Sequence, residues 1–116
     1  MERGATTWRC SFCSRLAEWL AMAVLEVCTF VPSADDDAMR AADAQMQTDF
    51  AYQQPGLLRR TTARDDAGRW CVVTLWASHD DATAAESAAR TDAVARTFWS
   101  LVDDSSISVQ RYGLLD

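Results

Sequence analysis

The chain contains no lysine, one histidine, two prolines and four glycines in 116 residues, and each shortage closes a class of function. All 11 basic residues are arginine against 17 acidic ones, giving a net charge of −6. A binder of nucleic acid needs a basic face to neutralise phosphates, so no nucleic-acid partner is expected. None of the glycines stands in a phosphate-binding or dinucleotide-binding pattern, and no serine nucleophile elbow is present. Nucleotide and flavin use lack support, and no cofactor is expected. The lone His79 has no second histidine to make a His-paired metal site, so no metal is expected. No apolar run reaches the roughly 20 residues of a membrane span, so no membrane partner is expected.

Cysteine is sparse, at positions 10, 13, 28 and 71. Cys10 and Cys13 form a C-x-x-C without the second pair that zinc requires, and without the strand before it that a redox motif requires. Cys28 and Cys71 sit in apolar, strand-like runs, where a free cysteine behaves as a small hydrophobe. The N-terminal apolar stretch is broken by Arg15 and Glu18, unlike a secretory signal. Reduced thiols and a cytoplasmic location are the expectation.

What is present is an ordinary globular composition, 49% hydrophobic and 24% charged, at a length that suits one domain. Residues 1–21 differ from the rest. Trp8, Phe12, Leu16, Trp19 and Leu20 fall on one helical face. Either Met22 is the natural start and the upstream segment is foreign to the domain, which is the preferred reading, or it is an amphipathic helix that docks on the domain or a partner. The domain itself is expected over residues 22–116.

Within it, Val24 to Val31 is β-branched and aromatic, and Pro32 ends it, which predicts a strand. Ser33 or one of Asp35 to Asp37 suits the start of a helix with an apolar stripe of Met39, Ala42, Met46 and Phe50, stopped by Pro55-Gly56. Leu57 to Arg64 and Arg69 to Ala77 predict a hairpin around the Asp65-Asp66-Ala67-Gly68 turn. Ser78 caps an Ala-rich helix, a second helical set of Val94, Phe98, Leu101 and Val102 follows Thr91-Asp92, and Ser106 to Tyr112 alternates as a fourth strand. The order is β-α-β-β-α-β, an α+β ferredoxin-like arrangement with a four-stranded antiparallel sheet.

Alternation places Trp70, Val72, Thr74 and Trp76 on one face of the third strand and Cys71, Val73 and Leu75 on the other. Both faces are mostly apolar, as are those of the first strand. Two helices cover one face only, and an open apolar sheet face exceeds what a monomer tolerates in water. A homodimer through the sheet faces follows, unless the N-terminal segment covers that face.

Two passages carry a resemblance: Gln54-Pro55-Gly56 entering a strand, and the strand ending Trp76-Ala77-Ser78-His79-Asp80-Asp81-Ala82. Together with the element order, they resemble the antibiotic biosynthesis monooxygenase family over residues 23–113. The resemblance implies a dimeric α/β barrel and, in the family's enzymes, cofactor-independent oxidation of phenolic polyketides and quinols by O₂. Deprotonation gives an electron-rich anion that reduces O₂ directly, so the protein supplies an apolar cavity, a base and an anion stabiliser.

On that resemblance Trp76, Tyr52, Trp99 and Thr74 are substrate-binding candidates for a small apolar aromatic ligand. His79 or a bound water is the candidate base, and Arg60 the candidate stabiliser. Each has a plainer reading: Trp76 as a core aromatic, His79 as a solvated cap residue, Arg60 as a solvated strand arginine, and Tyr52 and Trp99 as interface. Haem degradation, a second branch of the fold, is disfavoured: the first strand has no asparagine and no histidine follows His79 to ligate iron. A non-catalytic ligand-binding or accessory dimer remains the alternative, and an isomerase or cyclase the third reading. A deep pocket holding Trp76 with an ionisable group inside favours an enzyme; a pocket collapsed on Trp76 with His79 and Arg60 in solvent favours the alternative.

Overall fold

A computed structural model describes residues 22–116. The expectations for residues 1–21, including the Cys10/Cys13 motif, lie outside the described residues. The strands are β1 (Val24–Phe30), β2 (Leu57–Arg64), β3 (Trp70–Trp76) and β4 (Ser108–Gly113), and the helices α1 (Asp36–Asp49), α2 (His79–Ala89) and α3 (Ala93–Ser100). The sheet runs β2-β3-β1-β4, with every neighbouring pair antiparallel. This is the expected ferredoxin-like order, its final helical segment divided in two at Arg90–Asp92.

Local chemistry sets the boundaries. Asp35, Ser78 and Asp92 cap α1, α2 and α3, each accepting a hydrogen bond from a backbone N–H of the first turn, which satisfies donors that a helix start leaves open. Gly56 ends the first crossover at φ +84°, and a Cβ there would meet the Asp81 carboxylate at 2.2 Å. Only glycine suits both demands. The Gly56 carbonyl accepts from the Ala77 N–H at 2.7 Å, joining the start of β2 to the start of α2. β4 begins two residues later than the sequence predicts. Residues 104–106 form a 3₁₀ turn, in which Ser106 Oγ accepts from the Val31 N–H and donates to the Asp103 carbonyl.

The helices pack on one sheet face in two groups. Met39, Met46 and Phe50, with Ala95 and Phe98, cover Cys28, Phe30, Trp70 and Val72. Ala82 and Ala85 of α2 cover Val24 and Trp76. Phe30 is the hub of the first group, meeting Phe98 at 5.8 Å and Trp99 at 5.5 Å between ring centroids, both edge to face. Such pairs add about 0.5–1.5 kcal/mol beyond the area they bury. Phe50 and Phe98 are core residues, as the helical stripes predict. On the opposite face Leu25, Val27, Cys71, Val73 and Leu75 all remain partly exposed.

Candidate functional site

The strand registers lay the helix-covered face out in cross-sheet rows. The first row is Leu57, Trp76, Val24 and Gly113; the second Arg60, Thr74, Glu26 and Arg111; the third Thr62, Val72, Cys28 and Val109; the fourth Arg64, Trp70 and Phe30. The first row belongs to the apolar cluster under α2, and Val72, Cys28, Trp70 and Phe30 to the cluster under α1 and α3. The second row, polar across all four strands, lies between the two.

A single irregularity in β2 makes this row possible. Leu57 pairs with Trp76 but Arg59 pairs with Leu75, so Leu58 is an extra residue at a β-bulge. A bulge resets the alternation of faces. Leu57 and Arg60 therefore both face the helices, Arg59 faces away, and Leu58 is exposed.

A cavity of about 610 Å³ opens over this row, within the range of roughly 300–1,000 Å³ usual for small-molecule sites. Glu26, Cys28, Arg60, Val72, Thr74, Trp76 and Arg111 form its sheet wall, Met46 and Phe50 the α1 side, Ala82, Ala85, Glu86 and Ala89 the α2 side, and Trp99 the α3 side. The small alanines of α2 leave the space that larger side chains would fill. The Trp76 indole Nε1 is buried and has no hydrogen-bond partner among the described residues. Buried donors are nearly always paired, so this one is an exception in the cavity wall.

The two arginines that end the polar row differ. Arg60 is 6% exposed. Its guanidinium donates to Asp43 at 2.8 Å, Gln47 at 3.0 Å and Thr62 at 3.4 Å, and its Cζ lies 5.8 Å from the centre of the Phe98 ring. That charge is already neutralised from α1. Arg111 is shared: Nε donates to Glu26 Oε2 at 2.7 Å, Nη2 to Glu86 Oε1 at 3.0 Å and Nη1 to Thr83 Oγ1 at 3.0 Å. One cation thus faces two carboxylates. Beside them, burial and the charge of Glu26 push the Cys28 thiol up to about 11. It stays protonated at neutral pH and serves as wall rather than nucleophile.

Of the residues singled out in the sequence, the structure brings Arg60, Thr74, Trp76 and Trp99 together in the cavity. His79 and Tyr52 are not among its lining residues. His79 is the first residue of α2, with Nε2 3.5 Å from Thr83 Oγ1. Tyr52 is largely exposed, and its hydroxyl accepts from the Arg60 backbone N–H at 3.0 Å, bracing the bulged strand from outside. Sequence reasoning passed over Glu26 and Arg111. The available signal was an acid at an inward position of an otherwise apolar strand, which demands a buried cation. The partner lies 85 residues away, beyond the reach of any local pattern.

No family model and no curated protein matches the sequence. Solved structures do match the fold. One is SnoaB from Streptomyces nogalater, a cofactor-independent oxygenase, at 18% identity and TM-score 0.66, covering 83% of this chain and 96% of that one. A Caulobacter crescentus protein provisionally named an antibiotic biosynthesis monooxygenase matches at 13% identity and TM-score 0.71, covering 89% and 99%. A dimeric ferredoxin-like protein of unknown function from Jannaschia matches at 12% identity and TM-score 0.58, covering 79% and 99%. The resemblance expected from the Pro55-Gly56 and Trp76 passages thus holds at the level of fold.

Proposed function

We propose that the domain spanning residues 22–116 is a cofactor-independent monooxygenase that oxidises a small phenolic or quinol-type aromatic with O₂. The observation that carries this reading is the open cavity with the unpartnered Trp76 N–H in its wall. The pocket is not collapsed on Trp76, and it contains ionisable groups, the pattern that favours an enzyme over a passive binder. The relation in fold to a cofactor-independent oxygenase supports the same choice.

In this reading Trp76, Trp99 and Thr74 hold a flat aromatic between sheet and helices. The Trp76 N–H donates to a ligand oxygen that gains negative charge as the substrate is deprotonated. Arg60 acts at a distance, its charge screened by Asp43. His79 and Tyr52 take no part inside the cavity. The outer sheet face, with its partly exposed Leu25, Val27, Val73 and Leu75, is covered by the same face of a second copy. The dimeric ferredoxin-like protein of related fold supports this assembly. Among the described residues no helix is long and apolar enough to cross a membrane.

The test is oxygen uptake by metal-stripped protein with a panel of anthrone and quinol substrates. Uptake should be insensitive to chelator, and Trp76→Phe, which keeps a ring but removes the N–H, should lower kcat by about 100-fold. Uptake no faster than in buffer with every substrate rejects the oxygenase.

A further inference from the structure

The three helices are held to the sheet unequally. α1 buries Met39 and Met46, and α3 buries Phe98, while α2 buries nothing larger than Ala82 and Ala85. Ala88 and Ala89 add partial contacts to the first core cluster. A methyl group removes little area from water, so lifting α2 off the sheet costs far less than lifting α1. Yet α2 forms one wall of the cavity, through Ala82, Ala85, Glu86, Ala89 and Arg90. It is jointed at both ends, by the extended Ser78 before it and by the helix break at residues 90–92 after it.

Arg111 of β4 ties α2 across the sheet, and its bonds differ in kind. Nε donates to Glu26 Oε2 at 2.7 Å, and the two side chains are only 16% and 19% exposed. Nη2 donates to Glu86 Oε1 at 3.0 Å, but the Glu86 side chain is 57% exposed. Nη1 donates to the exposed Thr83 hydroxyl at 3.0 Å. A buried pair loses heavily when one partner leaves, whereas an exposed carboxylate exchanges its partner for water at little cost. Arg111 is therefore anchored to β1 and only caught by α2. The catch lies beside the cavity mouth: β4 contributes Arg111 and Val109 to the lining, and Val109 is 52% exposed.

We propose that α2 is a lid over the cavity that opens as a unit, with Arg111 as its latch. In the open state Arg111 stays on Glu26, Glu86 and Thr83 turn to water, and Ala82 and Ala85 leave Val24 and Trp76. The movement widens the gap between α2 and β4, through which an occupant larger than the resting mouth passes. It also accounts for an acid at an inward position of β1: Glu26 keeps the arginine in place when α2 lets go. The lid does not depend on the oxygenase reading, since any occupant of the cavity would pass it.

Amide hydrogen exchange of the full-length protein reads the opening directly. In wild type, residues 79–89 should exchange together and faster than residues 36–49 of α1. Thr83→Val with Glu86→Gln removes both catches at nearly unchanged helix propensity. Exchange in α2 should then rise about tenfold, the scale of one half-exposed ion pair and one hydrogen bond, with α1, β1 and β3 unchanged. Glu86 Oε2 also lies 3.8 Å from Arg90 Nη2 within α2; Arg90→Gln removes that pair alone and should leave exchange as in wild type. Raising salt from about 0.05 M to about 0.5 M should speed α2 selectively, because the exposed pair is screened and the buried one is not. That arm carries the test if the double variant does not fold. An α2 that exchanges no faster than α1 in wild type, is unmoved by the double variant, or is loosened equally by Arg90→Gln overturns the latch. An equal rise in every element means global unfolding and overturns the lid.

Discussion

On the helix-covered face the second row of the sheet reads Arg60, Thr74, Glu26, Arg111; one position along, on the opposite face, the row reads Arg59, Leu75, Leu25, Tyr112. The next outer row is Thr61, Val73, Val27, Gln110. Charge therefore lies under the helices, and aliphatic side chains lie at the centre of the face that no described helix covers. Burial normally sorts residues the other way. The inner row is tolerated because each charge has a partner supplied by a helix or a neighbouring strand: Asp43 for Arg60, Glu26 and Glu86 for Arg111. The outer rows have apolar area and nothing in the described chain to spend it on, the situation that a second sheet resolves. One face holds its charges in pairs beside a cavity; the other presents aliphatic side chains that no described helix covers.

Breaking the inner pairing should have the largest effect. Asp43→Ala leaves the Arg60 guanidinium buried with only neutral partners, a change that costs about 3–5 kcal/mol. Replacing both partners, Asp43→Leu with Arg60→Met, should restore most of that loss, to within about 1 kcal/mol of wild type, because two buried charges are removed together. Urea unfolding of the three proteins decides it. If Asp43→Ala unfolds like wild type, Arg60 is solvated in solution and its end of the inner row is not buried.

How much of this contrast the sequence shows depends on the range of the interaction. Strand β2 begins and ends where Leu57 and Arg64 predict, and the stripe of Met39, Met46 and Phe50 meets the core, because period, caps and turn residues act over a few neighbours. The candidates Trp76, Thr74 and Trp99 reach the cavity on the same basis, by alternation and by a helical position beside Phe98. The face that Arg60 takes is not legible locally, because the bulge at Leu58 leaves no mark beyond two adjacent leucines. Glu26 and Arg111 escaped because their pairing joins the first strand to the last. His79 and Tyr52 were drawn in by residue type, but the chain sets His79 on the first turn of α2 and turns the Tyr52 hydroxyl to the backbone of β2.

The outer face is broken more simply. Val27→Asp puts a carboxylate at the centre of the apolar rows, and in a two-fold dimer the substitution occurs twice. Like charges at an interface cost several kcal/mol, and on the order of 3 kcal/mol would raise the dimer dissociation constant more than 100-fold. Sedimentation equilibrium should find wild type dimeric and Val27→Asp monomeric at the same concentration. A monomeric wild type with unchanged stability in the variant would show that the face stands in water and would remove the dimer from the proposal.

The smallest effect sharpens the comparison most, because it sets two neighbouring residues of one type against each other. Arg59 and Arg60 differ only in the face to which the Leu58 bulge assigns them. Arg59 is exposed at the end of the outer row and makes no ion pair among the described residues, so Arg59→Ala should change stability by no more than about 0.5 kcal/mol. Arg60→Ala empties a buried site and strands the Asp43 carboxylate, with an expected loss of about 3 kcal/mol. Anthrone quenching of tryptophan fluorescence should follow the same split, unchanged for the first and weakened for the second. Equal losses from the two substitutions would mean that β2 pairs one residue out of the register seen here, and the polar row would then lose its Arg60 end.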